Sequence, residues 1–256
     1  MDNLLHVSVS PHIHGKKTTR SFMLDVVIAL LPATIAGCVI FGLRALLVVA
    51  VAIASCVASE FIFNLILKRK QTVDDFSAIV TGLLLALNLP ANIPIWQVIV
   101  ASVFAIIVVK CVFGGLGCNI VNPAITARVF MLVAFGSMTT QAFPKNLDSV
   151  SGATPLADLA NGTTPDLMDL FLGNVGGAIG ETCSLALLIG AVYLLIKKVI
   201  SWHIPISYIA TVFVISLIVE GFDFTKALAW VLSGGLIIGA FFMATDYVTS
   251  PMTPKG

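Results

Sequence analysis

Phe76-Ser77-Ala78-Ile79-Val80-Thr81-Gly82-Leu83-Leu84-Leu85-Ala86-Leu87-Asn88-Leu89-Pro90-Ala91-Asn92-Ile93-Pro94 opens a run that continues to Val109 without one Asp, Glu, Lys or Arg. A soluble fold must show water some polar face along every element, and this run has too little polar surface to do so. In hydrocarbon the backbone has no solvent to bond, so apolar runs of about 20 residues read as helices. The rest of the chain agrees. Of its 256 residues 58% are hydrophobic and 11% are charged, with mean hydropathy +1.04. Soluble domains average about 45–50% apolar and about 25% charged. The net charge of +1, from 14 Lys and Arg against 13 Asp and Glu, excludes a strongly basic nucleic-acid binder. Disordered and disulfide-stapled classes fail on the same composition.

The predicted fold class is all-α, a polytopic transmembrane helix bundle. Spans are expected at 22–42, 45–67, 76–90, 95–113, 122–138, 173–196, 204–220 and 226–243, about eight in all. The runs are continuous, without the alternation of a membrane barrel. The first span follows a polar arm and ends at no small-residue cleavage site, so it is not a removable signal. With the amino terminus placed in the cytoplasm, Lys16, Lys17, Arg20, Lys68, Arg69, Lys70, Lys110, Lys197, Lys198 and Lys255 fall inside or at inner helix ends. Arg44, Lys145 and Lys226 fall outside, and Arg128 lies within a span. Loops rich in Lys and Arg stay cytoplasmic, which fixes this orientation. The chain then divides into a cytoplasmic arm (1–21), a first membrane half of about five helices (22–138), an extracytoplasmic loop (139–172) and a second membrane half (173–256).

Two stretches are irregular. Asn88-Leu89-Pro90-Ala91-Asn92-Ile93-Pro94 ends a short span, and Gly114-Gly115-Leu116-Gly117-Cys118-Asn119-Ile120-Val121-Asn122-Pro123 puts glycines and amides at a membrane boundary. Non-helical backbone at membrane depth survives where protein or a wet cavity covers it, so both are expected to line a central site. Gly82 and Pro94 are spaced as Gly239 and Pro251 are, a faint sign of an inverted repeat. On that reading the second half is truncated, about two helices short.

The loop carries Asp148-Ser149-Val150-Ser151-Gly152-Ala153-Thr154-Pro155-Leu156. The pattern Asp-x-x-(Ser/Thr)-Gly-Ala-Thr resembles the motif to which a dedicated flavin transferase attaches FMN through a phosphoester, with Thr154 as acceptor. A second enzyme must reach that hydroxyl, so an exposed, pliable segment is expected, and Gly152 and Ala153 add no bulk. Asp148 would serve the transfer reaction, through a metal or the hydroxyl. Asp, Ser and Gly are also what turns use, which is the plain alternative.

With these residues the chain resembles the RnfD family of the Rnf complex, and more distantly the NqrB proteins of the sodium-translocating NADH:quinone reductase. The likeness extends over Ser10-Pro11-His12-Ile13-His14, Thr18-Thr19-Arg20, Asp25 to Pro32, Thr81 to Pro90, Gly114 to Ala124, and Met243-Ala244-Thr245-Asp246 to Ser250-Pro251. It implies a urea-transporter-like fold and a place in the inner (cytoplasmic) membrane. It also implies membership of a multisubunit ion pump in which electrons pass between ferredoxin and NAD⁺ and drive Na⁺ or H⁺ outward. Thr154 would carry a covalent FMN, exchanging electrons one at a time with an FMN on a neighbouring subunit. A noncovalent riboflavin or second flavin would be a further cofactor. The NAD and ferredoxin sites belong to other subunits, and the chain itself has neither a Gly-rich nucleotide fingerprint nor ferredoxin-like Cys spacing. The alternative function is a small-solute transporter or channel, which the repeat and broken helices also suit.

Other residues carry both a functional and a plain reading. Glu60, Glu181 and Arg128 fall within apolar spans, where an uncompensated charge costs at least about 2.5–3.5 kcal/mol. Glu60 and Glu181 are ion-pathway candidates, and Arg128 is expected to meet an acid or a flavin phosphate; structural pairing is the alternative for each. Asn119 and Asn122 offer amides to a flavin edge or cap the next helix. Asp25 near a helix start suits the helix dipole. The five cysteines form no CxxC pair and read as packing residues. His6, His12 and His14 lack a further metal ligand and suit a cytoplasmic interface. Gly176-Gly177-Gly180 and Gly234-Gly235-Gly239 read as small faces for close helix packing.

Overall fold

The computed structural model describes residues 18–136, Pro144 and 154–250, and within them the chain is helical with no extended strand. The amino-terminal arm to residue 17, the segment 145–153 with Asp148, Ser151, Gly152 and Ala153, and residues 251–256 lie outside the described residues. Helix α1 (Thr19–Phe41) starts at Thr18, whose hydroxyl accepts the Ser21 N–H at 3.4 Å. It stops at Gly42, which takes φ 78° and lets α2 (Leu43–Ile66) begin at once. A 3₁₀ turn, Val73–Asp75, leads into α3 (Ser77–Leu87). Helix α4 (Ile95–Val103) continues as wider π-helical turns over Phe104–Cys111. Helix α5 (Pro123–Ala134) follows the glycine-rich connection, with Asn122 capping it and Pro123 in its first turn.

Two short helices, α6 (Pro155–Ala160) and α7 (Leu167–Leu172), precede α8 (Ser184–Ile196), α9 (His203–Val219) and α10 (Phe224–Leu232). The last helix, α11 (Leu236–Ile238), widens into π-helical turns over Gly239–Met243.

Helices α1 and α2, with 23 and 24 residues, are long and apolar enough to cross a bilayer, and α10 with α11 forms a third such run bent by 65°. Helices α3, α4, α5, α8 and α9 are apolar but shorter. The outward side chains of α1 and α2 are what a lipid-facing surface requires: Val39 and Leu43 are 77% exposed. The chain is a helical membrane protein. Helix α3 is apolar all round and correspondingly buried, with Leu85, Ala86 and Leu87 wholly enclosed. It packs tightly on α2, where a Cβ at Gly82 would stand 2.9 Å from the Ile53 Cα.

The structure corrects the expected span 173–196. Helix α8 begins only at Ser184, and residues 174–183 run as non-helical chain. Their amides bond across to the end of α3 instead: Ile179 N–H to Leu89 C=O at 3.1 Å and Gly180 N–H to Leu87 C=O at 2.8 Å. Gly180 is needed there because a Cβ would lie 2.6 Å from that of Leu87. Gly176, Gly177 and Gly180 are therefore not a helix-packing face. Nor are Gly234 and Gly235, which form the break between α10 and α11, with φ 64° at Gly234. The Asn88–Pro94 break is covered as expected of non-helical chain in an apolar bundle. Arg44 donates to the carbonyls of Ala91 and Ile93 at 3.3 and 3.2 Å.

Replacing Gly82 by Ala should lower the thermal unfolding midpoint in detergent, at a cost of about 1–3 kcal/mol, because the new methyl meets backbone that cannot yield. Gly239→Ala, where a Cβ meets nothing within 4 Å, should leave the midpoint unchanged or raise it.

Candidate functional site

Helix α3 has a polar group at each end, and each end opens on a cavity. At its carboxyl end, Asn88 is 3% exposed and its Nδ2 donates to the Leu84 carbonyl at 2.7 Å. Its Oδ1 accepts from Arg128 Nη1 of α5 at 3.0 Å. The other terminal nitrogen, Nη2, stands 2.7 Å from Glu181 Oε1, a charge contact whose angle is off the hydrogen-bond direction. Glu181 belongs to the non-helical stretch before α8 rather than to a helix, which corrects its expected place in a span. The room for this pair comes from Gly235, where a Cβ would lie 2.9 Å from Glu181 Oε1 and 3.3 Å from Arg128 Nη1.

Thr154 lines the same cavity, together with Arg128, Glu181, Asn88, Thr182 and Ser233. It encloses about 150 Å³, far above the roughly 10–15 Å³ that one water needs. Thr154 caps α6: its Oγ1 accepts the Ala157 N–H at 3.3 Å, and Pro155 fills the first helical position. Leu159 of α6 and Leu170 of α7 bury against Ala229 of α10, which holds Thr154 in the cavity that Ser233 and Gly234 of the α10–α11 break also line. Thr154 is half-buried at a helix start, where an exposed, pliable segment was expected. Its hydroxyl keeps its own proton to donate or lose.

At the amino end of α3 lies a second buried pair. Lys110 Nζ, in the π-helical part of α4, sits 2.8 Å from Glu60 Oε2 of α2, and both side chains are 2% exposed. The ammonium also donates to Ser77 Oγ at 2.6 Å, and Ser77 in turn donates to Asp75 Oδ1. Thr72 donates to the other oxygen of Glu60 at 2.6 Å and accepts from Asn64 Nδ2 at 3.1 Å. Each charge thus has a hydroxyl partner besides the other charge, the further hydrogen bonding that a buried ion pair requires. Ser77 and Lys110 line a cavity of about 100 Å³ shared with Asn119, Asn122, Thr81 and Asp246. With a rise of about 1.5 Å per residue over the 11 residues of α3, Ser77 and Asn88, which contact the two pairs, stand about 16 Å apart along its axis.

The site residues read from the sequence therefore divide. Thr154, Arg128 and Glu181 meet in one cavity; Glu60, Asn119 and Asn122 belong to the other end. Asn122 Oδ1 accepts the Ala124 and Ile125 N–H groups as a helix cap. Asn119, 8% exposed, has an Oδ1 with no partner among the described residues. Asp25 accepts from the Tyr193 hydroxyl of α8 at 3.0 Å, so a side chain rather than the α1 dipole is its partner. The described cysteines are free thiols. Sequence reasoning missed Lys110, placing it inside or at an inner helix end, and missed Thr182; Asn88 lies in the 88–94 stretch expected to line a central site, and it does line this cavity. The signal for Lys110 was available: a carboxylate at depth in α2 requires a cation at the same depth, and Lys110 ends the uncharged run. No group of three or more His, Cys, Asp or Glu side chains among the described residues is placed to hold a metal ion.

Lys110→Met should destabilise the chain by about 3–5 kcal/mol, since it leaves Glu60 buried and unpaired. The double variant Glu60→Gln, Lys110→Met should recover most of that loss. Unfolding midpoints of wild type and the two variants in detergent measure both, and equal losses in the single and double variants would contradict the pairing.

Residues 6–256 match the NQR2, RnfD, RnfE family. The D subunit of the Na(+)-translocating ferredoxin:NAD(+) oxidoreductase complex of Acetobacterium woodii is 50% identical over 98% of this chain and 80% of its own length. The D subunit of the proton-translocating ferredoxin:NAD(+) oxidoreductase complex of Clostridium ljungdahlii is 38% identical over 99% of the chain and 82% of its own length. Its counterpart in the ion-translocating oxidoreductase complex of Methanosarcina acetivorans is 33% identical, covering 98% and 79%. With a match that runs nearly end to end and apolar helices to fit it, the chain belongs to the NQR2, RnfD, RnfE family, whose RnfD members serve redox-driven ion-translocating complexes in the membrane.

Proposed function

We propose that the chain is the membrane subunit of an Rnf-type ion pump, relaying electrons between ferredoxin and NAD⁺ through an FMN esterified to Thr154. The observation that carries this is the placing of Thr154 in one cavity with Arg128, Asn88 and Thr182. The donor set suits a phosphoester. Arg128 supplies a guanidinium fork, and Thr182, 2% exposed, has a hydroxyl with no partner among the described residues. The flavin, once bound, supplies one- and two-electron chemistry. The chain's part is to fix the tether: α6 and α7 hold Thr154 against α10, and Pro155 restricts the backbone just past it.

The same reading makes the membrane topology one of about eight crossings in the inner membrane. The amino terminus lies in the cytoplasm and the 139–172 loop on the far side, with the two membrane halves related by a urea-transporter-like repeat. A flavin transferase matures the loop, and a second FMN-bearing subunit exchanges electrons with it. The remaining subunits carry the NAD and ferredoxin sites, and the coupled ion is Na⁺ or H⁺. Moving one charge against 100 mV needs about 2.3 kcal/mol. Glu60 and Glu181 are the acids at membrane depth that such a path would use, each now matched to a named cation.

Purified chain made together with the transferase should keep flavin fluorescence on an acid-denatured gel, and its 145–160 peptide should carry one FMN phosphoryl adduct. Thr154→Ala should be dark. A bare wild-type peptide, or an equally bright variant band, would remove the flavin. In the assembled complex, Glu60→Gln and Glu181→Gln should lower ion transport more than electron transfer; an unchanged ion-to-electron ratio in both would remove them from the path.

A further inference from the structure

The geometry points to Arg128 as the residue that positions the phosphodiester of the Thr154 adduct, with Glu181 as the competing counter-charge that weakens its hold. The inference rests on the reading of Thr154 as a flavin acceptor and adds what the pocket does with the tether. Arg128 and Thr154 line one cavity. A guanidinium has five N–H donors in a planar fork that matches phosphate oxygens, and Arg128 spends one nitrogen on Asn88 and one on Glu181. Its side chain is 38% exposed, against 10% for Glu181, so it still presents donors to the space. Thr182, which lines the same cavity, has a buried hydroxyl with no partner among the described residues. Gly234 and Gly235 make the close approaches possible: a Cβ at the first would meet Leu156 beside the tether at 2.8 Å, and at the second would meet the ion pair.

The charges give the two partners opposite roles. A phosphodiester carries one negative charge. Arg128 attracts it, while Glu181 repels it and draws the same guanidinium away. Neutralising Glu181 therefore strengthens the seat, and neutralising Arg128 removes it. A pair that merely braced α5 against the 174–183 segment would behave differently, because either single substitution breaks it equally.

The test uses the full chain flavinylated by its transferase, in detergent micelles, compared at equal adduct loading by mass spectrometry. Iodide quenching and anisotropy of the flavin fluorescence report how firmly the tether is held. Arg128→Gln should raise the quenching constant several-fold and lower the anisotropy. Glu181→Gln should leave both unchanged or shift them the other way. The double variant Arg128→Gln, Glu181→Gln, which leaves no unpaired charge to unfold the chain, should follow Arg128→Gln. Matching shifts in the two single variants, or a double variant equal to wild type, would overturn the positioning role while leaving the Thr154 adduct in place. A wild-type chain without adduct would overturn both.

Discussion

A helix that stops inside an apolar bundle leaves its last carbonyls without partners, and no water is there to take them. That constraint organises this molecule. Helix α3 ends at Leu87, and the carbonyls of Leu87 and Leu89 are taken by the amides of Gly180 and Ile179. The Ala91 and Ile93 carbonyls are taken by Arg44 from the start of α2. The break in the first part of the chain is thus completed by a break in the second. The non-helical backbone this leaves around Asn88 and Glu181 borders the cavity that Thr154 lines.

Charges at depth obey the same constraint. Glu60 and Lys110 are both enclosed, and each has hydroxyl partners as well as the other. Glu181 and Arg128 form the looser pair, since the arginine side chain is more than a third exposed. The difference suits different roles. An enclosed pair with hydroxyl partners resists rearrangement, whereas a guanidinium more than a third exposed keeps N–H donors for a further anion. Helix α3 joins the two, with Ser77 bonded to Lys110 and Asn88 bonded to Arg128. Both π-helical segments, Phe104–Cys111 and Gly239–Met243, contribute to the cavity at the Ser77 end through Lys110 and through Phe241 and Phe242. Widened turns of this kind often mark functional sites, because they turn a side chain out of helical register.

The membrane character, the all-helical class, most helix positions and the irregular stretch at 88–94 were legible in the residues, and the family resemblance was borne out by the match over residues 6–256. These follow from local rules: apolar length for a helix, Pro and Gly for its end, Asn before Pro123 for the next start. The glycines of 176–180 and 234–235 were misread because small residues serve two purposes. In a straight helix they allow close packing, and in a broken one they allow a turn or a backbone contact. Spacing alone does not separate the two uses; the opposing Leu87 and Leu156 side chains do.

By itself the sequence determined that the chain dissolves in lipid and where most of its helices run, since both depend on side-chain chemistry within about 20 residues. Only the tertiary structure decided which charge answers which. Glu60 and Lys110 lie 50 residues apart, and Arg128 and Asn88 lie 40 apart. Nothing in local propensity selects such partners. They are chosen when packing around α3 brings two depths into register, and the low dielectric there makes any other choice costly.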